Sequence, residues 1–139
     1  LRQEKGLNTK MANRIHHIGL QIAEKDLQLF YIDILRCVII REFNLSKEEA
    51  FSIFNLSKAV RIIYTRCEGI EMEFFVDSSA VTQTFNHICI HSDIADEIAS
   101  KANSAGFRVY TRKKNDNTKT YFISDSNHNV FEIKNNIIA

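Results

Sequence analysis

Apolar and polar positions alternate through residues 14–22, with His17, Gly19 and Gln21 on one face and Ile18, Leu20 and Ile22 on the other. That pattern predicts a strand whose apolar face lies beneath a helix. The period then lengthens: Leu27, Phe30, Tyr31, Ile34 and Leu35 fall at i, i+3, i+4, i+7 and i+8, one helical stripe. Residues 38–43 are a β-rich run. Ser46-Lys47-Glu48-Glu49 has the form of a capping box, and Ala50, Phe51 and Phe54 give a short helix an apolar face; a strand over 50–56 is the alternative reading. Two further strands, 59–65 and 70–76, are joined across Arg66-Cys67-Glu68-Gly69, where Gly supplies a positive φ.

The same plan is then repeated. Phe85-Asn86-His87-Ile88-Cys89-Ile90-His91-Ser92 restates Ile15-His16-His17-Ile18-Gly19-Leu20-Gln21-Ile22. A helix over 94–105 follows, with Ile94, Ile98, Ala102 and Ala105 buried and Gly106 as its left-handed cap. Strands are expected at 107–112, 120–124 and 130–134, with a polar hairpin at 113–117 and an Asn/Asp/Ser turn at 125–129. Each copy ends on an alternating strand with a central glutamate, Glu73 or Glu132. The His-to-Glu separation is 73 − 17 = 56 residues in the first copy and 132 − 87 = 45 in the second, so the first carries an insertion of 11.

The fold class expected is α+β: two tandem β-α-β-β-β modules forming a cupped mixed sheet, helices on the outer face, and a short extra helix inserted in the first module. Residues 1–13 read as a flexible leader, 14–77 as the first module, 78–84 as a linker and 85–135 as the second module, with 14–135 forming one compact domain. The 139 residues carry 18 Lys and Arg against 17 Asp and Glu, a net +1 that gives no reason to expect a nucleic-acid or anionic-lipid partner. Arg112-Lys113-Lys114 reads as a solvated loop, lacking interleaved aromatics. Cys37, Cys67 and Cys89 have no metal-type spacing, and reduced thiols in a cytoplasmic protein are the simpler expectation. No apolar run approaches a membrane span or a secretory signal.

Chemistry enters through the faces. Ile18 and Leu20, like Ile88 and Ile90, belong under the helices, so His17 and His87 point to the opposite, concave side. Met72 and Phe74 flank Glu73, and Phe131 and Ile133 flank Glu132, so both carboxylates point the same way. A carboxylate in an apolar strand is costly unless paired, hydrogen-bonded or metal-bound, and a divalent cation also relieves the repulsion between two of them. One His on a strand is ordinarily a core or surface residue. Two at equivalent repeat positions, each completed by an equivalent Glu, point to a metal site of His17, Glu73, His87 and Glu132. Imidazole with carboxylate suits Zn²⁺, Ni²⁺, Fe²⁺, Mn²⁺ or Co²⁺ and leaves positions open for water or a chelating substrate. Gln21, Cys89 and His91 share those faces as candidate substrate contacts; a buried thiol and a rim histidine are equally good readings of the last two. His16 falls on the helix side by alternation and reads as structural, unless a one-residue slip exchanges it with His17.

Residues 14–134 resemble the vicinal oxygen chelate superfamily of glyoxalase I, methylmalonyl-CoA epimerase, fosfomycin-resistance enzymes, extradiol dioxygenases and bleomycin-resistance proteins. The resemblance rests on Ile15-His16-His17-Ile18-Gly19-Leu20, Phe30-Tyr31-Ile32-Asp33-Ile34-Leu35, Asn86-His87-Ile88-Cys89-Ile90 and the stretch from Phe122 to Ile133, in that order and register. It places the family's ligands on His17, Glu73, His87 and Glu132. It also implies that Glu132 or Glu73 shuttles a substrate proton through an enediolate-type intermediate, and that two chains pair as a homodimer sharing their sites.

Departures from the family narrow the substrate. Gln21 stands where glyoxalase I has an Arg for the glutathione carboxylate, and Asp77 where it tends to have Asn, which works against a glutathione adduct. Epimerases generally have Gln at the second ligand, here Glu73. Ser126 and His128 replace the usual Pro and Gly of the terminal turn, read as turn variation. The function implied is a metal-dependent glyoxalase-like lyase or isomerase acting on a small metal-chelating molecule by proton transfer. The alternative is a non-catalytic binding or resistance protein of the same fold. A third option, an Fe²⁺ oxygenase, ordinarily uses two His and one carboxylate. The insert helix could cap the cup and restrict substrate size, or pad the core or the dimer contact.

Overall fold

In the computed structural model of the chain, residues 13–79 and 81–135 are described. All but the last residue of the expected leader therefore lies outside them. The first module contains β1 (Ile18–Ile22), α1 (Leu27–Ile34), β2 (Val38–Leu45), α2 (Lys47–Phe54), β3 (Val60–Cys67) and β4 (Ile70–Val76). The second contains β5 (His87–Ser92), α3 (Ala95–Ser104), β6 (Arg108–Lys113), β7 (Lys119–Ser124) and β8 (Val130–Asn135). Both expected histidine strands start late: His16 and His17 precede β1, and Phe85 and Asn86 precede β5.

Each module folds its own four-stranded mixed sheet, ordered β1-β4-β3-β2 and β5-β8-β7-β6. The outer strand β1 runs parallel to β4, and β5 runs parallel to β8, because a helical crossover separates each pair in sequence. β3 and β4 form a hairpin through Glu68 (φ 44°) and Gly69 (φ 93°), two successive positive-φ residues of the kind a twisted hairpin needs.

The inserted segment is a helix, not a strand. Ser46 caps α2, its Oγ accepting from the Glu49 N–H at 3.0 Å, and Asn55 closes it in the left-handed region. α1 has the wider π-helical spacing, with Leu35 N–H donating to the Phe30 carbonyl five residues back. Its expected stripe holds: Phe30 and Tyr31 are fully buried, with Ile34 and Leu35 nearly so.

One core joins the modules. Phe30 packs on Phe107 and Phe131 of the second module, while Tyr31 packs on Phe74 of the first at 4.4 Å between ring centroids. Polar ties follow the same seam. Ser126 donates its N–H and hydroxyl to buried Asp26 at 2.7 and 2.8 Å, Tyr31 donates to Asp125 at 2.6 Å, and the Asn127 and Asn129 amides donate to the Gln21 carbonyl. Ser126 is thus more than turn variation: it satisfies a carboxylate buried in the other module. The left-handed residue of that turn is His128 rather than an asparagine.

The expectation of reduced thiols is corrected. Cys37 and Cys67 form a disulfide, since the pairing of Val38 with Arg66 sets them opposite each other at the end of β2 and β3. Cys89 is free and exposed. No described helix is long and apolar enough to cross a membrane.

Candidate functional site

On the first sheet, the register pairs Gly19 with Glu73 and Gln21 with Phe75. Residues paired in register share a face, so the face opposite the core carries Gly19, Gln21, Glu71, Glu73 and Phe75, joined by Ile62 and Tyr64 from β3. His17 enters this face just ahead of β1. Its Nε2 lies 3.4 Å from Glu73 Oε1, with side-chain exposures of 36% and 18%. On the second sheet, Cys89 pairs with Glu132 and His91 with Lys134. His87 Nε2 lies 3.3 Å from Glu132 Oε1, with exposures of 45% and 15%. The two copies have built the same pair.

Both rings turn the same nitrogen toward their carboxylate. His87 Nδ1 is 2.9 Å from the Phe85 carbonyl, an acceptor that holds the proton on Nδ1 and leaves the Nε2 lone pair free. A ring so oriented, beside an otherwise little-solvated carboxylate, has the donor chemistry of a metal ligand. Among the described residues, no three His, Cys, Asp or Glu side chains converge on one point within the chain. The four expected ligands are therefore assembled as two pairs.

The surroundings of the pairs differ. Beside His17 and Glu73, the Tyr64 hydroxyl donates to Glu71 at 2.5 Å, Arg66 donates to the same carboxylate at 3.2 Å, and the Arg41 guanidinium lies 4.4 Å from the Tyr64 ring centre. The Tyr64 hydrogen bond, with that of Arg66, holds the Glu71 carboxyl below its ordinary range. Beside Glu132, Lys134 Nζ stands at 3.7 Å. Partial desolvation, with the Glu132 charge, raises the exposed Cys89 thiol above its ordinary value.

His16 does not face the helices. Its Nδ1 is 2.9 Å from His17 Nδ1 and 3.4 Å from the Tyr64 hydroxyl, so it joins the site cluster. Tyr64, Glu71, Arg66 and Arg41 were missed as site residues. For the first three the signal was available, since period-two alternation from Glu73 across the hairpin puts them on its face.

Of the candidate substrate contacts, Gln21 donates to the Asp77 carbonyl at 3.1 Å and lines a cavity of about 210 Å³ beneath α2. His91 lines an open cleft of about 690 Å³ with Lys134, Lys114 and Lys119. Cys89 shares its face with Glu132.

Neither a family profile nor a curated protein sequence matches the chain. Solved structures do. A fosfomycin resistance protein, FosX, from Listeria monocytogenes superposes with a TM-score of 0.67 at 18% identity, over 92% of this chain and 97% of that one. FosX from Mesorhizobium loti gives 0.63 at 15% identity, over 92% and 95%. A glyoxalase family protein from Enterococcus faecalis gives 0.63 at 16% identity, over 88% and 98%. The chain has the vicinal oxygen chelate fold. Another Listeria FosX structure with this fold holds Mn(II) and 1S,2S-dihydroxypropylphosphonic acid, with a TM-score of 0.69 at 18% identity over 92% and 96% of the two chains.

Proposed function

We infer that the protein is a metal-dependent, glyoxalase-like lyase or isomerase that moves a proton on a small substrate binding through adjacent oxygens. The observation that carries this reading is the duplicated His–Glu pair, Nε2 toward carboxylate at 3.4 and 3.3 Å, at equivalent places of two modules. His17, Glu73, His87 and Glu132 would hold one divalent transition metal ion, as the Mn(II)-bound FosX of the same fold suggests. Because each chain presents its donors as separate pairs, a full set is expected where the first-module face of one subunit meets the second-module face of another in a homodimer.

When bound, the ion supplies polarisation of the two substrate oxygens and makes the neighbouring carbon acid. The remaining work belongs to the chain. Glu132 accepts the substrate proton and returns it to the adjacent atom, giving an enediolate-type intermediate on the way; Glu73 is the symmetry-related candidate for that role. Lys134, at 3.7 Å from Glu132, offsets the charge of the carboxylate in its resting state. The imidazoles of His17 and His87 would hold the ion through Nε2.

A second reading, a binding or resistance protein without turnover, is favoured if the chain stays monomeric, since two donors per face suffice only for a weak site. The test is elemental analysis of protein purified without added metal or an affinity tag, beside His87→Ala. About one transition metal per chain, lost in the variant, is expected. Protein that holds no metal and takes up neither Zn²⁺, Ni²⁺ nor Mn²⁺ on titration contradicts the enzyme reading and leaves the binding protein.

A further inference from the structure

α2 is the piece that one module has and the other lacks, and it changes what lies beside the donor pair. It closes over the exposed face of the first sheet so that Phe54 meets Phe75 edge-on, ring centres 5.2 Å apart. Ala50, Leu56, Val60 and Phe75 complete the walls of the 210 Å³ cavity, and Gly19 stands at its edge next to Glu73. The polar groups of the rim are already engaged. Lys58 Nζ bonds Asp77 at 2.9 Å and Ser79 at 3.2 Å, and Gln21 bonds the Asp77 carbonyl. A charged ligand group entering here would find no unpaired counter-charge.

We propose that this cavity takes a compact, uncharged apolar arm of the substrate. At about 30 Å³ for each water-sized group, the volume suits roughly six or seven heavy atoms: a hexyl chain or a phenyl ring. The positions that align with Gln21 and Phe75 in the second module are His91 and Lys134, which line a cleft with charged Lys114, Asp116 and Lys119 instead. Of the two donor pairs, the first module's therefore has the apolar space beside it, and the substrate is a vicinal-oxygen chelator with a short hydrocarbon side. This rests on the metal-dependent reading above as far as the chelating head is concerned; the cavity itself does not need the metal.

The test uses straight-chain hydroxamates, which chelate through adjacent oxygens, on the Mn²⁺-loaded protein by calorimetry. From acetohydroxamate to hexanohydroxamate, affinity is expected to rise roughly threefold to fourfold per methylene and then level off. Phe54→Ala removes a side chain that is 49% exposed, so the fold should tolerate it, and it is expected to reduce the gain per methylene. Gly19→Val, whose added Cβ would meet the Phe75 ring at 3.3 Å, is expected to abolish the gain. Equal affinity along the wild-type series overturns the proposal and leaves the metal site standing. Should acetohydroxamate fail to bind, the metal-dependent reading falls, and the cavity is judged by 1-hexanol on metal-free protein. Shifts of the Phe54 and Phe75 ring signals in nuclear magnetic resonance then support the apolar site, and their absence overturns it.

Discussion

The two modules present the same pair of side chains in different company. His17 and Glu73 sit beside an aromatic and arginine cluster and an apolar cavity roofed by α2. His87 and Glu132 sit beside a lysine, a thiol and a cleft lined by lysines and aspartates. Register explains why the carboxylates were kept, because Glu73 and Glu132, central in strands paired on both sides, cannot move without moving the ladder. What changed lies at the rim, where an insertion of 11 residues between two strands leaves the ladder intact and replaces solvent by Phe54 and Leu56. On the proposed function, the strands hold the chemistry and what is added between them sets selectivity.

The strongest way to separate the two copies is to disable one carboxylate at a time. Glu132→Gln is expected to lower turnover by a factor of about 100 or more while leaving the fold intact, as loss of a general base does. Glu73→Gln should weaken metal binding more than it alters the chemical step. Full activity of Glu132→Gln would remove that residue from the mechanism.

A smaller difference is the cross-link, which only the first module has. It closes a separation of 30 residues, so reduction should cost about 3–4 kcal/mol of stability, measured by denaturant unfolding with and without reductant. Identical midpoints, or three reactive thiols in unreduced denatured protein where one is expected, would contradict the Cys37–Cys67 bond.

Smaller again is the cap of the inserted helix. Ser46→Ala removes the acceptor for the Glu49 N–H and is expected to cost about 1 kcal/mol. The same variant should also lower the gain in hydroxamate affinity per methylene, because the roof of the cavity frays. A stability loss with that gain unchanged would separate α2 from the cavity.

Much of this was legible in the residues, for identifiable reasons. Strict alternation around His17, Glu73, His87 and Glu132 put all four on the faces where they are found, and the Ser46–Glu49 spacing marked α2 as a helix. Legibility failed where alternation stops or long-range pairing decides. Alternation carries one residue back from β1 to His17 but not two to His16, which joins His17 and Tyr64 instead. Arg41 reaches the site face because β2 carries an irregularity between Ile39 and Arg41 that shifts its register. The Asp26–Ser126 and Tyr31–Asp125 bonds span 100 and 94 residues, and the disulfide 30; no local pattern encodes such contacts.

On the proposed function, one metal site is completed by the His–Glu pairs of two different chains. His17→Ala and His87→Ala proteins should each hold little metal alone. Unfolded together in equal amounts and refolded, they should regain about one ion for every four chains, because half the dimers formed are mixed and each has one site with both pairs intact. Mixed protein that stays as metal-poor as its two parents would contradict the account.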